Sequence, residues 1–513
     1  MSILADLQLG LHTAFSLSNL LYCFLGVLFG MLVGVLPGIG ALSAISMLFP
    51  ITFHLEPTAS LIMLAGIFYG SAYGGSTTAI LLNVPGAPSS AVACLEGYPM
   101  AQQGRGGVAL FMTTIASFFA GSIGILLMML FSPIVAEAAL HFNSPEYFAL
   151  MVLGLIAAST MSEDAPLKGM AMVVLGILFG IVGMDMYTGV PRFNFGTFEL
   201  MDGINLVAFA MGIFGLTEVV TSLGVARPDR VQRVTWRSMI PSRDDVRRSW
   251  LPMLRGTAIG SFCGTLPGAG ATLASFMSYA LERKVSKDPS RFGKGAIEGI
   301  VSPEAANNAA DQTAFIPTMT LGIPGSATMA LMLGVLIAHG VTPGPLLLTE
   351  HPDMFWGLVM SFWIGNVVLV ILNIPLINLW VRLLQIPYEL LYPAILVFIV
   401  VGVYSVNNSV FDVWMVLAFG LIGYVLRLLK FPAAPLLLGF VLGPLLEEHF
   451  RRSLLLSKGD LLTFFERPVS GPMMIIAILV LLYGIPQVRA GIWRLWRQRP
   501  PGVRGAEDGS ETT

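Results

Sequence analysis

The sequence predicts an all-α polytopic membrane protein with about ten to twelve transmembrane helices, re-entrant or broken helices and two inverted repeats. Three observations support this fold class. The 513-residue chain is 55% hydrophobic and only 11% charged, whereas a soluble protein carries about 25% charged residues. Apolar runs long enough to span a bilayer recur along the whole length. Two proline-glycine motifs also occur twice, in the same order.

Apolar segments give the order of the predicted elements. Several exceed the roughly 20 residues that one crossing needs and contain glycine or proline, so we expect breaks within them. The segments lie at about 17–53, 58–95, 108–132, 145–161, 167–187, 204–222, 252–280, 305–340, 355–381, 389–406, 411–427, 432–446 and 471–488.

This order predicts four parts of the chain. Residues 1–222 hold a first repeat with scaffold helices, and 252–490 hold a second repeat with scaffold helices. A cytoplasmic basic loop over 223–251 separates them. The tail over 491–513 is basic and then polar, and we expect it to be cytoplasmic and disordered.

The proline-glycine motifs define the repeats. The first copy reads LPGIGALSAISML from Leu36 and the second reads LPGAGATLASFMS from Leu266, with seven of thirteen positions identical. A weaker pair follows, NVPGAPSS from Asn83 and GIPGSATM from Gly322. Weak internal repeats with broken apolar segments are typical of secondary transporters and indicate where the binding site lies.

Basic loops predict the orientation. Residues 227–248 contain seven arginines against three aspartates, and 282–298 and the C-terminal stretch are also rich in lysine and arginine. The positive-inside rule places all three in the cytoplasm. The segment 252–280 must therefore return to the side where it started, and we expect a re-entrant hairpin. The corresponding loop of the first repeat, 51–60, has no lysine or arginine and is expected outside, which makes the repeats inverted.

Each of four prolines precedes a glycine inside an apolar stretch: Pro37, Pro85, Pro267 and Pro324. Such breaks are tolerated at membrane depth where they are buried in protein or line a water-filled cavity. A broken helix exposes an N-terminal end that carries about half a positive charge and suits a carboxylate. The alternative is a simple kink for helix packing.

Small polar side chains flank the breaks and are the candidate ligands. Their hydroxyl and amide oxygens suit Na⁺ and substrate, although hydrogen bonds between helices would explain the same residues. The candidate substrate-binding residues are Asn83, Pro85, Gly86, Ser76, Thr77, Asn308, Thr320, Pro324, Gly325 and Ser326. The candidate ion-coupling residues are Asp311, Asn307, Gly38 and Gly268, with Na⁺ as the candidate ion at the same cluster.

Two acidic residues receive different interpretations. A membrane-embedded carboxylate is functional by default, so Asp311 is expected to ligate a cation or carry a proton, unless it is a cap or interfacial acid at the loop edge. Glu304 lies closer to the basic loop and is expected to be a helix cap. The four-residue spacing of Gly26, Gly30 and Gly34 predicts close helix packing.

At these residues the chain resembles the large membrane subunit of tripartite tricarboxylate transporters, the TctA family. The matching motifs are GVLPGIG near the N-terminus, YGGSTTAILLNVPG ending at Gly86, PEAANNAA at 303–310 and PTMTLGIPGSATMALMLG at 317–334. The resemblance covers about residues 15–490. It implies an inner-membrane permease that works with a small membrane subunit and a periplasmic solute-binding protein. It also implies ion-driven uptake of citrate or related small organic carboxylates.

Two other function classes remain open. A passive pore would carry substrate without an ion gradient. An intramembrane hydrolase using Ser76 or Ser326 would need a paired base, and no histidine lies in either polar cluster. We therefore expect a bacterial inner-membrane protein in a lipid bilayer that is not an enzyme, has a cytoplasmic C-terminus and has no nucleic-acid partner.

Overall fold

The computed structural model describes residues 3–36, 40–160, 166–222, 234–266, 268, 270–383 and 388–484. This part of the chain is mostly helical and contains almost no β-sheet, which confirms the predicted all-α class. The first half contains α1 (Ile3–Ala14), α2 (Leu17–Val35), α3 (Ala41–Thr52), α4 (Pro57–Leu82), α5 (Ala91–Gln102), α6 (Gly106–Ala139), α7 (Ser144–Thr160), α8 (Pro166–Gly180), α9 (Leu206–Ala210) and α10 (Thr217–Ser222).

The second half begins inside the predicted loop over 223–251, because its first helix starts at Arg243. It contains α11 (Arg243–Thr265), α12 (Gly270–Val285), α13 (Glu298–Thr313), α14 (Phe315–Leu321), α15 (Ala327–Ala338), α16 (Leu347–Glu350), α17 (Pro352–Leu383), α18 (Tyr388–Asn407), α19 (Val410–Leu428), α20 (Ala433–Leu456), α21 (Thr463–Glu466) and α22 (Ser470–Gly484).

The remaining elements are short. The 3₁₀ turns are Pro88–Ser90, Trp236–Met239 and Pro289–Arg291, and a π-helical segment, Met211–Leu216, joins α9 to α10. The strands β1 (Gly183–Met184) and β2 (Pro191–Arg192) pair antiparallel, with Gly183 opposite Arg192.

Within the described ranges, five helices are long and apolar enough to cross a membrane: α2, α6, α17, α19 and α20. Further apolar helices have 10–17 residues and include α3, α7, α8, α15 and α22. The chain is therefore a multi-pass membrane protein. The count of ten to twelve crossings stays a prediction, because several apolar segments are divided into two shorter helices.

The first repeat opens with a helical hairpin. The glycines of α2 face successive turns of α4 in ascending order, so α2 and α4 run in the same direction. The facing pairs are Gly26 with Met63, Gly30 with Ile67 and Gly34 with Ser71. Because α2 and α4 are parallel, α3 must run back between them. The predicted close packing of these glycines is confirmed.

The second repeat has the same construction at its start. Gly256, Gly260 and Gly264 of α11 face α13, and they correspond to the glycines of α2 at the offset of 230. The helix α12 runs antiparallel to α11, and Arg255 pairs with Glu282 between them, with N–O distances of 2.7 and 2.6 Å. The segment 252–280 therefore returns to the end where it starts, as predicted, and its re-entrant depth in the bilayer stays a prediction.

Helix directions establish that the repeats are inverted. The helices α4 and α17 run parallel, α6 and α13 run parallel, and α6 runs antiparallel to α17, so the equivalent helices α4 and α13 run in opposite directions. Contacts of Tyr69 with Phe362 and of Tyr73 with Asn366 fix the direction of α4 relative to α17. Contacts of Ser117 with Asn308 and of Gly124 with Gln312 fix α6 relative to α13. Contacts of Ser122 with Asn366 and of Thr114 with Asn373 fix α6 relative to α17.

The basic segments gather at one end of the helices, called here the basic end. Arg105, just before α6, pairs with Asp245 at 2.5 Å, and Gln103 donates to the carbonyl of Lys294 at 2.9 Å. The loop 51–60 lies at the opposite end, since it precedes α4, which runs antiparallel to α13. The largest buried apolar cluster includes parts of α4, α15 and α17.

Candidate functional site

A buried carboxylate joins the two repeats. Glu304 lies inside α13 and is only 3% exposed. Its Oε1 accepts hydrogen bonds from Ser76 Oγ of α4 at 2.7 Å and Ser117 Oγ of α6 at 3.2 Å. Asn308 Nδ2 donates to Ser117 Oγ at 2.8 Å and lies 3.3 Å from Glu304 Oε1. These four residues are called the Glu304 cluster.

The expectation that Glu304 caps a helix is wrong. Its helix begins at Glu298, so Glu304 is in the second turn, and it faces α4 and α6 rather than the basic loop. The small side chains of the PEAANNAA stretch allow neighbouring helices to approach α13 closely. The same approach buries Glu304.

Asp311 lies two turns beyond Glu304 on α13 and is 8% exposed. The antiparallel register that pairs Ser76 with Glu304 places Tyr69 of α4 opposite Asp311, and the two groups interact electrostatically. Among the described residues, the buried Tyr69 hydroxyl has no hydrogen-bond partner. The α4–α13 seam therefore holds two carboxylates in line.

Other buried polar atoms beside this seam also lack partners in the described part of the chain. They are Thr77 Oγ1, Gln312 Oε1, and both Oδ1 and Nδ2 of Asn307. A buried polar atom without a partner costs about 1–3 kcal/mol. Such atoms are rare in native structures and call for a ligand, water or ion. The predicted residues Ser76, Thr77, Asn307, Asn308 and Asp311 are thus brought to the same two helices.

The break of the first repeat has a different environment. Asn83 is exposed and ends α4 in the left-handed conformation, with φ of +58°. Pro85 is exposed, whereas Gly86 is buried against α4, where an added Cβ would lie 2.6 Å from Gly75 Cα. The predicted coupling residue Gly38 lies outside the described residues.

The break of the second repeat is buried. Gly268 N donates to the carbonyl of Gly325 at 2.9 Å, so the two proline-glycine motifs of this repeat meet. Pro324 and Gly325 are buried, and Ser326 Oγ accepts from Met329 N at the start of α15. Thr320 Oγ1 donates to the carbonyl of Ile316 in its own helix at 2.7 Å.

Two half-length helices start at these breaks. The helices α5 and α15 each have 12 residues. Their N-terminal ends lie beside Gly75 and Gly268, respectively. Free backbone N–H groups and the helix dipole make such ends favourable for an anion. The arrangement offers oxygen ligands to a cation at the α4–α13 seam and N–H donors to an anion at the breaks.

A second polar site lies at the end opposite the basic end, around β1 and β2. A cavity of about 120 Å³ is lined there by Asp185, Tyr187, Arg192 and Glu447, among others. Hydrogen bonds from the backbone N–H groups of Tyr187 and Thr188, and the Arg451 guanidinium, lower the pKa of Asp185 to about 2. Asp185 is therefore ionised at neutral pH, and the ion pairs hold this loop against α20.

Sequence reasoning missed Ser117 of the Glu304 cluster. A signal was present, because Ser117, Phe118 and Gly121 of α6 recur as Ser361, Phe362 and Gly365 of α17 at an offset of 244. Within the described residues no group of three or more His, Cys, Asp or Glu side chains is placed to hold a metal ion.

The chain is similar to known proteins along most of its length. The model of the family described as tripartite tricarboxylate transporter TctA family matches residues 20–438. The chain is 49% identical over 491 residues to an uncharacterized 52.8 kDa protein in the TAR-I ttuC' 3' region of Agrobacterium vitis, covering 96% of this chain and 98% of that protein. It is 52% identical over 232 residues to an uncharacterized protein in the TAR-II ttuC' 3' region of Agrobacterium vitis, and this match covers 45% of this chain and 96% of that protein. No solved structure matches the chain.

Proposed function

Because the chain belongs to the TctA family of tripartite tricarboxylate transporters, we propose that it is the membrane subunit that imports an organic tri- or dicarboxylate across the bacterial inner membrane. The observation that supports this proposal best is the Glu304 cluster, which joins α4 and α6 of one inverted repeat to α13 of the other. Inverted repeats that meet at a polar midplane site suit alternating access.

The substrate would bind between the two repeats. The N-terminal ends of α5 and α15, beside Gly86 and Gly325, would supply N–H donors to its carboxylates. Asn83, Pro85, Thr320, Pro324 and Ser326 belong to the same two breaks and would shape this position.

A Na⁺ or H⁺ gradient would drive the uptake. The coupling residues would be Asp311, Asn307, Gly38 and Gly268, with Ser76, Thr77 and Asn308 as neighbouring ligands. A cation is needed because an anion entering a negative-inside cell opposes the membrane potential. It is also needed because buried carboxylates are costly without a positive partner.

Two partner proteins would complete the transporter: a small membrane subunit and a periplasmic solute-binding protein that delivers the carboxylate. The basic end would face the cytoplasm, together with the C-terminus. The loop 51–60 and the β1–β2 loop would then face the periplasm, where the binding protein docks.

Uptake into proteoliposomes tests this function. The chain would be reconstituted with its small subunit and binding protein, and labelled citrate and a panel of dicarboxylates would be supplied, with Na⁺ and pH gradients imposed separately. We expect accumulation above equilibrium with at least one gradient. Equilibration without accumulation would instead indicate a passive pore. If no carboxylate is transported at all, carboxylates are not the substrate class.

Variants at the seam and the break separate their roles. We expect Asp311→Asn to lose ion-driven accumulation and Asn308→Ala to weaken it about tenfold or more, since a hydrogen bond to a charged group contributes about 1.5–3 kcal/mol. Asn83→Ala is expected to lower uptake by straining the left-handed end of α4. Normal, normally ion-dependent transport in all three variants, each present in the membrane, would contradict this assignment.

A further inference from the structure

An ionised Glu304 carboxylate would have no positively charged partner among its hydrogen-bond contacts in the described part of the chain. Its three hydrogen-bond donors are two hydroxyls and an amide, and no basic group acts on it. The titratable groups that face it are Tyr73 from α4 and Asp311 from its own helix, and α6 contributes only Ser117. A buried carboxylate without a positive partner costs several kcal/mol, so this position favours a bound cation.

The atoms around Glu304 form a set of hard ligands. Ser76 Oγ and Ser117 Oγ lie 2.7 and 3.2 Å from Glu304 Oε1, close enough for all three oxygens to contact one ion. A hydroxyl rotates its hydrogen away and presents lone pairs to a cation. The Asn308 amide presents its oxygen in the same direction after a flip. Hard monovalent and divalent cations prefer such oxygen ligands.

An independent observation indicates that a ligand belongs here. The Asn307 side chain is 1% exposed, and neither its oxygen nor its nitrogen has a hydrogen-bond partner among the residues that the structure describes. It lies three residues after Glu304, on the same side of α13. The Thr77 hydroxyl, next to Ser76, is fully buried and equally without a partner. A bound cation with its hydration water would satisfy these atoms.

We propose that Glu304, Ser76, Ser117 and Asn308 form a Na⁺ site at the junction of the two repeats, with the Glu304 carboxylate as the charged ligand. This inference rests on the proposed transport function and names the ion that drives it. One cation contacts α4 and α6 from the first repeat and α13 from the second. Na⁺ binding therefore stabilises the arrangement in which the repeats are closed on each other, and substrate binding and ion binding are coupled through that junction.

Thermal unfolding tests the site without any substrate. The full-length chain in detergent would be heated in increasing NaCl or in choline chloride at constant ionic strength. A ligand that binds only the folded state stabilises it by RT ln(1 + [L]/Kd), so the Tm rises with ligand concentration. We expect Na⁺ but not choline to raise the Tm of the wild type, and Glu304→Gln, which keeps the shape but removes the charge, to abolish the shift.

A matched pair of serine variants keeps the test decisive if Glu304→Gln fails to fold. Ser361 occupies the position of α17 that corresponds to Ser117, but its Oγ donates only to the carbonyl of Leu358 in its own helix, at 2.6 Å. We expect Ser117→Ala to require about tenfold more Na⁺ for the same shift, since it loses one contact to a charged centre. Ser361→Ala should respond as the wild type does.

The outcomes separate this site from the proposed function. A wild type without a Na⁺-specific shift, a Glu304→Gln variant that keeps the shift, or equal responses of Ser117→Ala and Ser361→Ala would each overturn the site. If a pH gradient drives carboxylate uptake and Na⁺ does not raise the Tm, the transport function is kept and the Na⁺ site is rejected. A Na⁺ shift without uptake of any carboxylate would keep the site and reject the transport function.

Discussion

Glu96 shows how one buried carboxylate fixes a loop. It lies in α5, is fully buried, and accepts hydrogen bonds from Tyr279 Oη at 2.8 Å and from three backbone N–H groups that precede α13. These donors are Gly293 N at 2.5 Å, Gly295 N at 2.8 Å and Ala296 N at 2.8 Å. The loop after α12 is thereby tied to the half-length helix of the other repeat, and with it the start of α13.

Glu96→Gln is expected to release this loop. The new amide turns an NH₂ group toward backbone donors and loses charge-assisted hydrogen bonds, at a cost of about 3 kcal/mol. Trypsin should then cleave faster after Arg291 and Lys294 in the detergent-solubilised protein. Glu137→Gln, at an exposed position of α6, is the control and should leave the cleavage rate unchanged. Equal rates for both variants would show that Glu96 does not hold the loop.

The position of Glu304 could not be predicted from the sequence alone. Because Glu304 is close to a basic loop along the chain, the sequence predicted that it lies at a helix end. Its burial depends instead on which helices pack on α13. The neighbouring polar residues Asn307, Asn308 and Asp311 were predicted as a group, because they share a small-residue stretch of one helix. Their partners on α4 and α6 are brought close by packing between the two repeats. The only sign of that packing in the sequence is the weak match between Ser117 of α6 and Ser361 of α17.

The α11–α12 hairpin is the element that the sequence predicted best. Charge on both sides of 252–280 required an even number of crossings, and α11 and α12 meet that requirement. The ends of α4 and α14 were not predicted. Asn83 and Gly322, equivalent at the offset of 239, both take left-handed conformations there, with φ of +58° and +69°. Asparagine and glycine are the residues that most readily adopt this helix ending, so Asn83 has a backbone role besides its predicted ligand role.

Close contact of α2 with α4 predicts a large effect of a single methyl group. A Cβ added at Gly30 would lie 2.7 Å from Ile67 Cα, so Gly30→Ala forces the two backbones apart. Overpacking of this kind costs about 1–3 kcal/mol, and we expect a lower Tm and a lower yield of folded protein. Both are read from fluorescence-detected size-exclusion chromatography after heating.

Gly365→Ala is the matched control for that helix contact. It also lies within a buried helix, but the nearest atoms to an added Cβ are side-chain atoms of Tyr69 and Val27 at 3.6 Å, which is ordinary van der Waals contact. We expect a Tm equal to that of the wild type or slightly higher, since alanine favours a helix over glycine by up to about 1 kcal/mol. A Gly30→Ala variant as stable as Gly365→Ala would contradict the packing of α2 on α4.

The inverted arrangement of the whole molecule follows from several independent contacts, whereas the sequence predicted it from one uncharged loop. The parallel pairs α4 with α17 and α6 with α13 relate the two repeats by an approximate two-fold exchange. The helices α18 to α22 do not correspond to any of the repeated motifs, so the sequence predicted only that these regions are apolar and not how they pack. Crossing number also depends on tilt and on how deep each hairpin reaches, which hydropathy does not specify.

Cysteine labelling in intact cells tests this architecture. In a background without Cys23, Cys94 and Cys263, single cysteines would replace the exposed residues Glu56, Arg247 and Ser290. Arg247 lies near the start of α11 and Ser290 lies just after α12, at the two ends of that hairpin. Both should therefore react with a membrane-impermeant maleimide only after permeabilisation. Glu56 precedes α4 at the opposite end and should react without it. Labelling of all three positions from one side would refute the inversion. Labelling of Arg247 and Ser290 from different sides would refute the hairpin, because its two ends would then lie on opposite sides of the membrane.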